Sequence, residues 1–347
     1  MMNVTQKSPH KKAVWQVIRC VCFIMVFLIG LSALSMVCMP KSNNPKSGMK
    51  QYQARGFYGQ PKDSLDIIGI GNSNLLSSFS LMELWGRYGY TGYTCGEAGQ
   101  TIFQAYTVLQ EVLSCQKPKV VVLEGDGIFQ GDGLEGTFSQ LGSSILGRVF
   151  PVVYYHNRWK SLSIADFTQP AHYTWTDINR GYLPSKLEDS VNWKHRPKAN
   201  SPTDDRFDPF ITFELDAFRN LCARNGARLV LVYVPTAFSW DQQRDKVLAR
   251  YAAANGLPFL DMNEPDSGLP INWKTDSKDG GVHLNYFGAL KVTLYIGAYL
   301  NSHYCLPDHR NDPAFHQWGA DYAVYEKAMD KINDSIHPSK VVAAKHR

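Results

Sequence analysis

Ser73 and His283 are the two residues of this chain whose type and setting best suit covalent chemistry. Ser73 lies in Gly69-Ile70-Gly71-Asn72-Ser73-Asn74, directly after a short apolar run. A serine on a glycine-bearing turn between a strand and a helix can expose its hydroxyl. Its own amide then sits at a helix N-terminus, where developing negative charge is stabilised. The plainer role for Ser73 is to cap that helix. The glycines do not form a dinucleotide loop, because the third glycine of GxGxxG is missing. Far along the chain, the glycine-broken stretch TDSKDGGVHLNYFGALK holds Asp276, Asp279 and His283. A loop histidine with an aspartate four residues before it can serve as a general base with an oriented imidazole. Capping of the following helix is its plainer role. A nucleophile early and a base late are compatible with a triad that only the fold assembles.

Other groupings are thinner. His303, Cys305, Asp308, His309 and His316 are all metal-capable, but their spacing matches no standard site. Glu124 and Asp126 follow an apolar run and, with Asp66, offer carboxylates for metal-assisted hydrolysis; a hydrogen-bonded strand end explains the pair equally simply. Trp159, Tyr173, Trp175 and Tyr182 could stack on a sugar ring or pack on one another. No cofactor and no metal are expected.

The elements that must position Ser73 and His283 follow from periodicity. Leu65–Ile70, Val120–Leu123, Leu229–Val234 and Phe259–Asp261 are short apolar runs suited to strands buried on both faces. Between them, apolar residues recur at helical spacing at 102–113, 213–222 and 247–252. The last two series stop at Asn225-Gly226 and Asn255-Gly256, as C-caps do. A core helix starts after His283, and a helix near Trp318–Ile332 is expected on the outside. The alternation predicts an α/β domain: a mostly parallel sheet between two helical layers, three-layer α/β/α and flavodoxin-like. In such sheets ligands bind beyond the carboxyl ends of the strands, where both Ser73 and His283 fall. Residues 131–205 break the rhythm and read as an insertion or lid.

The chain of 347 residues is 44% hydrophobic and 19% charged, which excludes disordered, collagen-like and disulfide-framework classes. A net charge of +5 gathered largely at the two termini, with no binding motif, argues against nucleic acid as a partner. Residues 20–40 carry no charge and are long enough to span a bilayer. Lys7, Lys11, Lys12 and Arg19 precede them, and Ser35-Met36-Val37 before Cys38 is a poor cleavage site. The segment reads as an uncleaved anchor with residues 1–19 cytoplasmic, 41–62 a linker, 63–305 the domain and 306–347 an extension. This places the protein in the cell membrane as a single-pass chain with an extracytoplasmic domain and the lipid bilayer as a partner of residues 20–40. Four cysteines lie in the body (Cys95, Cys115, Cys222, Cys305) without any CxxC pair. Buried free thiols are the favoured state over two disulfides.

Taken together, Gly71-Asn72-Ser73, Gly99 within Gly96-Glu97-Ala98-Gly99-Gln100, and Asp279…His283-Leu284-Asn285 resemble the SGNH (GDSL-like) hydrolase superfamily. The anchor, Tyr155-His156-Asn157-Arg158-Trp159 and the HLNYFGA run make its membrane-anchored, DltD-like branch the best fit, over residues 64–301. The resemblance implies Ser73 as nucleophile, His283 as base, Asp279 as orienter, and the amides of Ser73 and Gly99 as oxyanion hole. Asn72, Asn74, Gln100, Asp126, His156 and Arg158 are the implied substrate-binding positions. Three departures stand out. Asn72 replaces the aspartate of Gly-Asp-Ser. Gly280 occupies the usual aspartate position, so Asp276 rivals Asp279. Glu124-Gly125-Asp126 stands where an asparagine usually donates to the oxyanion, whereas an ionised carboxylate only accepts. The implied function is an esterase or O-acyltransferase acting on acyl groups of envelope glycopolymers such as teichoic acid, with an acyl donor as partner and a membrane-bound acyltransferase as a candidate one. An inactive module of the same fold, binding polymer or scaffolding an acyltransferase, is the alternative.

Overall fold

In a computed structural model, residues 9–129, 149–192, 209–238 and 242–336 are described, with 142, 145–147 and 207 between them. The expected insertion at 131–205 therefore lies partly outside the described residues.

Helix α1 (Pro9–Cys38) opens the chain and is exposed along nearly all its length. The stretch Ala13–Cys38 is long and apolar enough to cross a membrane. It starts before the expected residue 20. Lysine and arginine are good helix formers, so the helix runs back through Arg19. It stops at Cys38, two residues before Pro40, which disfavours helix in the residue preceding it.

Five short strands form one parallel sheet: β1 (Ile67–Ile70), β2 (Gly92–Thr94), β3 (Val120–Glu124), β4 (Arg228–Tyr233) and β5 (Phe259–Asp261), in the order β2-β1-β3-β4-β5. The register sets Ile67 opposite both Gly92 and Val120, and Val120 opposite Arg228. Alternate side chains enter two separate cores. Ile68, Ile70, Val121, Leu123, Leu229 and Leu231 face one. Ile67, Val120, Val122, Val230 and Val232 face the other. Both faces of the sheet are covered, which explains why these strands read as continuous apolar runs.

Helices α2 (Ser73–Leu76), α3 (Leu81–Tyr88) and α4 (Ile102–Leu113) follow the first two strands. One-turn helices α5 (Val152–Tyr155) and α6 (Ile164–Thr168) lie in the insertion and pack on α1. Helices α7 (Pro209–Arg224), α8 (Gln242–Ala254), α9 (Tyr286–His303) and α10 (His316–Ile336) complete the chain. The last of these keeps most of its residues exposed, as an outer helix does, and anchors through one apolar face. It packs against α3 and buries Trp318, Tyr325 and Met329 in the core. The guanidinium of buried Arg180 lies 4.4 Å from the Trp318 ring and pairs with Asp321 at 2.5 Å.

Candidate active site

Three parallel strands bring their carboxyl ends together around Ser73. Strand β1 lies between β2 and β3, so the crossovers on its two sides diverge at this point, and the crevice so formed is where open α/β sheets hold ligands. Ser73 is the first residue of α2. Asn72 caps that helix by accepting from the Asn74 amide at 2.9 Å. Gly71 is required by close approach: a Cβ there would lie 2.5 Å from Cβ of Glu124. The Gly96–Gln100 turn packs alongside, with the Glu97 amide donating to the Gly71 carbonyl at 3.1 Å.

The loop after β5 carries the partner. His283 Nε2 lies 2.8 Å from Ser73 Oγ, and Nδ1 lies 2.6 Å from Asp279 Oδ2. The other carboxylate oxygen of Asp279 accepts from the His283 backbone amide at 2.7 Å. One carboxylate therefore fixes both the ring and the backbone of the histidine. The extra residue between them is absorbed by Gly280 and Gly281, at φ of +72° and +106°, which tighten the turn. A bridge between Ser277 and Leu284 closes this turn, and Ser277 Oγ accepts from the Gly281 amide at 2.6 Å. Asp276, the rival, is spent elsewhere: it accepts from Lys291 Nζ and from the Asn272 amide, both at 2.6 Å.

Lys278 fastens the loop to the turn that follows α2, donating from Nζ to Ser77 Oγ at 2.9 Å, and burial lowers its pKa. Asn285 holds the other flank. Its side-chain oxygen caps α9, and its amide donates to the carbonyls of Thr275, Ser277 and Leu187. The sequence reading assigned neither residue a role. Their only signal was adjacency to Asp279 and His283.

The turn after β3 is acidic and mostly buried. Asp126 Oδ2 accepts from Asn72 Nδ2 at 2.6 Å and from Asn74 Nδ2 at 3.4 Å. The Arg244 guanidinium lies 3.6 Å from its other oxygen. Two of the expected substrate-binding asparagines are thus gathered by Asp126 itself. Glu124 accepts from the amides of Asp126 and Gly127, and burial together with the neighbouring Asp126 charge pushes its pKa well up. Gln100 is buried and donates to the Cys95 carbonyl at 3.2 Å.

The remaining expected positions lie among other partners. Arg158 donates to the Cys38 carbonyl at 2.8 Å and to Asp166 at 2.7 Å, and His156 Nδ1 lies 3.0 Å from the Val153 carbonyl. Both belong to the insertion beside the end of α1. A cavity of about 720 Å³ lined by Met39, Arg55, Glu97, Glu111 and Tyr154, among others, includes neither Ser73 nor His283.

The metal readings lose their geometry. Asp66 precedes β1 and pairs with His309 at 2.7 Å and Lys119 at 2.9 Å. Lys119 is level with the start of the sheet and Glu124 is five residues further on, about 16 Å at strand rise. Asp66 therefore cannot join Glu124 and Asp126 on one ion. His303, His316 and Asp308 bind Tyr299, Pro313 and Arg310 respectively, not one another. Among the described residues, the carboxylates that converge are Asp245, Asp261 and Glu264. All seven cysteines are free thiols. Burial raises the thiol pKa of Cys95 and Cys222 and pushes that of Cys115 up to about 11, which keeps these three protonated at neutral pH.

No family model and no curated protein matches the chain. Among solved structures it is similar to a GDSL-like lipase from Bacteroides thetaiotaomicron. The two are 14% identical over 69% of this chain and 88% of that one, with a TM-score of 0.34. It is also similar to a lipase/acylhydrolase from Enterococcus faecalis, 12% identical over 70% and 99% of the two chains, with a TM-score of 0.37.

Proposed function

We propose that this protein is a membrane-anchored serine esterase or O-acyltransferase working through Ser73, His283 and Asp279. The observation that carries the reading is the unbroken relay from Ser73 Oγ through the imidazole to Asp279, at 2.8 and 2.6 Å. In this reading the Nδ1–H tautomer donates to Asp279 and leaves Nε2 to accept from the serine hydroxyl.

Ser73 Oγ attacks the acyl carbonyl carbon as its proton passes to His283 Nε2. The tetrahedral intermediate collapses when that proton moves to the leaving oxygen, and the acyl group stays on Ser73. An incoming hydroxyl, from water or a polymer, then attacks the acyl-enzyme; its proton passes to Nε2 and returns to Ser73. The amides of Ser73 and Gly99 are the proposed oxyanion donors. Asn74 is a third candidate, since its bond to Asp126 at 3.4 Å engages one of its two amide hydrogens weakly.

The anchor supports an envelope setting. We place α1 across the membrane with its basic N-terminal flank in the cytoplasm and the domain outside. Acyl groups on envelope glycopolymers such as teichoic acid are the proposed substrates, with a membrane-bound acyltransferase as a candidate partner. Hydrolysis of p-nitrophenyl acetate by the full-length protein tests the chemistry. Activity that resists chelator and is lost in both Ser73→Ala and His283→Ala is expected. Turnover by these variants equal to that of the native chain would show that the hydrolysis does not come from Ser73, and no turnover by the native chain would leave an inactive scaffold of the same fold.

A further inference from the structure

We infer that the surface formed by residues 145–147 and 149–167 lies in the headgroup layer of an anionic bilayer, seating the domain on the membrane. The inference rests on the reading of α1 as a membrane span. Of the large hydrophobic side chains exposed outside α1, half of those among the described residues fall between Ile145 and Phe167. Trp159 is 66% exposed, Ile164 82% and Phe167 65%, values a water-facing surface rarely gathers in one stretch. Ile164 and Phe167 stand three residues apart on α6 and so share a face.

This surface is fixed to the end of the anchor. The Val152 amide donates to Ser35 Oγ at 3.3 Å, and Arg158 donates to the Cys38 carbonyl at 2.8 Å. Tyr173 donates its hydroxyl to the Pro40 carbonyl at 2.9 Å, and the His172 amide donates to that of Lys41 at 2.8 Å. The patch thus continues the apolar wall of α1 outward at the level where that helix ends.

Charge selects the bilayer as occupant. Two lysines border the patch, with the Lys160 ammonium 5.8 Å from the Trp159 ring and that of Lys50 5.8 Å from Tyr154, and Lys41 donates from Nζ to the Met36 carbonyl at the end of α1. Asp166 is the one acidic residue between 145 and 167, and Arg158 already neutralises it. Aromatic rings with lysines at their rim suit the interface between headgroups and acyl chains.

The test uses the full-length protein in vesicles of phosphatidylglycerol with brominated phosphatidylcholine, against unbrominated controls. Tryptophan emission is compared with that of Trp159→Phe and Trp15→Phe, so that each residue's share is obtained by difference. Lipid bromine should quench both, with about half or more of the Trp159 emission lost. Quenching of Trp15 without Trp159 would overturn the seating while leaving the anchor in place, and would assign the patch to a protein partner or second copy. Absence of quenching at both would overturn the anchor and the seating together.

Discussion

The loop after β5 and the turn after β3 each bring two carboxylates to the same edge of the sheet. In the loop, Asp279 keeps 39% of its side chain exposed and faces the imidazole, while Asp276 is buried against Lys291. In the turn, Glu124 is fully enclosed and its pKa is raised, while Asp126 draws in the amides of Asn72 and Asn74. The four residues are chemically near-equivalent, and what separates them is the partner each faces and its access to water. A carboxylate that remains partly solvated stays charged cheaply and can stabilise an imidazolium; one stripped of water keeps its proton or needs a dedicated partner.

The largest expected effect breaks the pairing inside the loop. Asp279→Asn should lower kcat/KM by about 10³–10⁴-fold, because the amide favours the wrong imidazole tautomer. Asp276→Asn should leave the folded protein's kcat/KM nearly unchanged while costing about 1–3 kcal/mol in urea unfolding, through a weakened Lys291 contact. Reversal of the two results would make Asp276 the orienter. The turn is probed by Asp126→Asn, which keeps an acceptor for Asn72 and adds a donor beside Asn72 and Asn74. A rise in kcat on the order of tenfold is expected, and a loss would show that the carboxylate works as it stands. Lys278→Met cuts the tie between the loop and Ser77, and should reduce kcat by about 3–10-fold with KM little changed.

The smallest effect is a pH slope. The folded pKa of Glu124 is raised, so the folded protein holds a proton that the unfolded chain releases. The stability from this group is complete below the unfolded pKa and is lost as pH rises toward the folded one. Urea midpoints measured from about pH 5 to 8 should fall for the native chain and fall less for Glu124→Gln. A contribution from Glu97, also raised by burial, remains in both.

Buried parallel strands and helical periodicity made the sheet and most helices legible from sequence. β2 was not, since Gly-Tyr-Thr is too short for a pattern, and α3 was missed beside it. α10 was placed outside because its polar face dominates its composition, while Trp318, Tyr325 and Met329 recur at helical spacing on the face that enters the core. At the site, residue type singled out Ser73 and His283, but the choice between Asp276 and Asp279 depended on two positive-φ glycines that no spacing rule encodes. Lys278 reaches Ser77 across almost the whole fold, and only the assembled structure reveals that contact.

The central claim is tested most directly by treating the full-length protein with a fluorophosphonate and mapping the adduct by peptide mass spectrometry. The account predicts one adduct, on Ser73, absent in Ser73→Ala and strongly slowed in His283→Ala. Failure of Ser73 to react under conditions that label other serine hydrolases, or labelling that persists unchanged in His283→Ala, would contradict it.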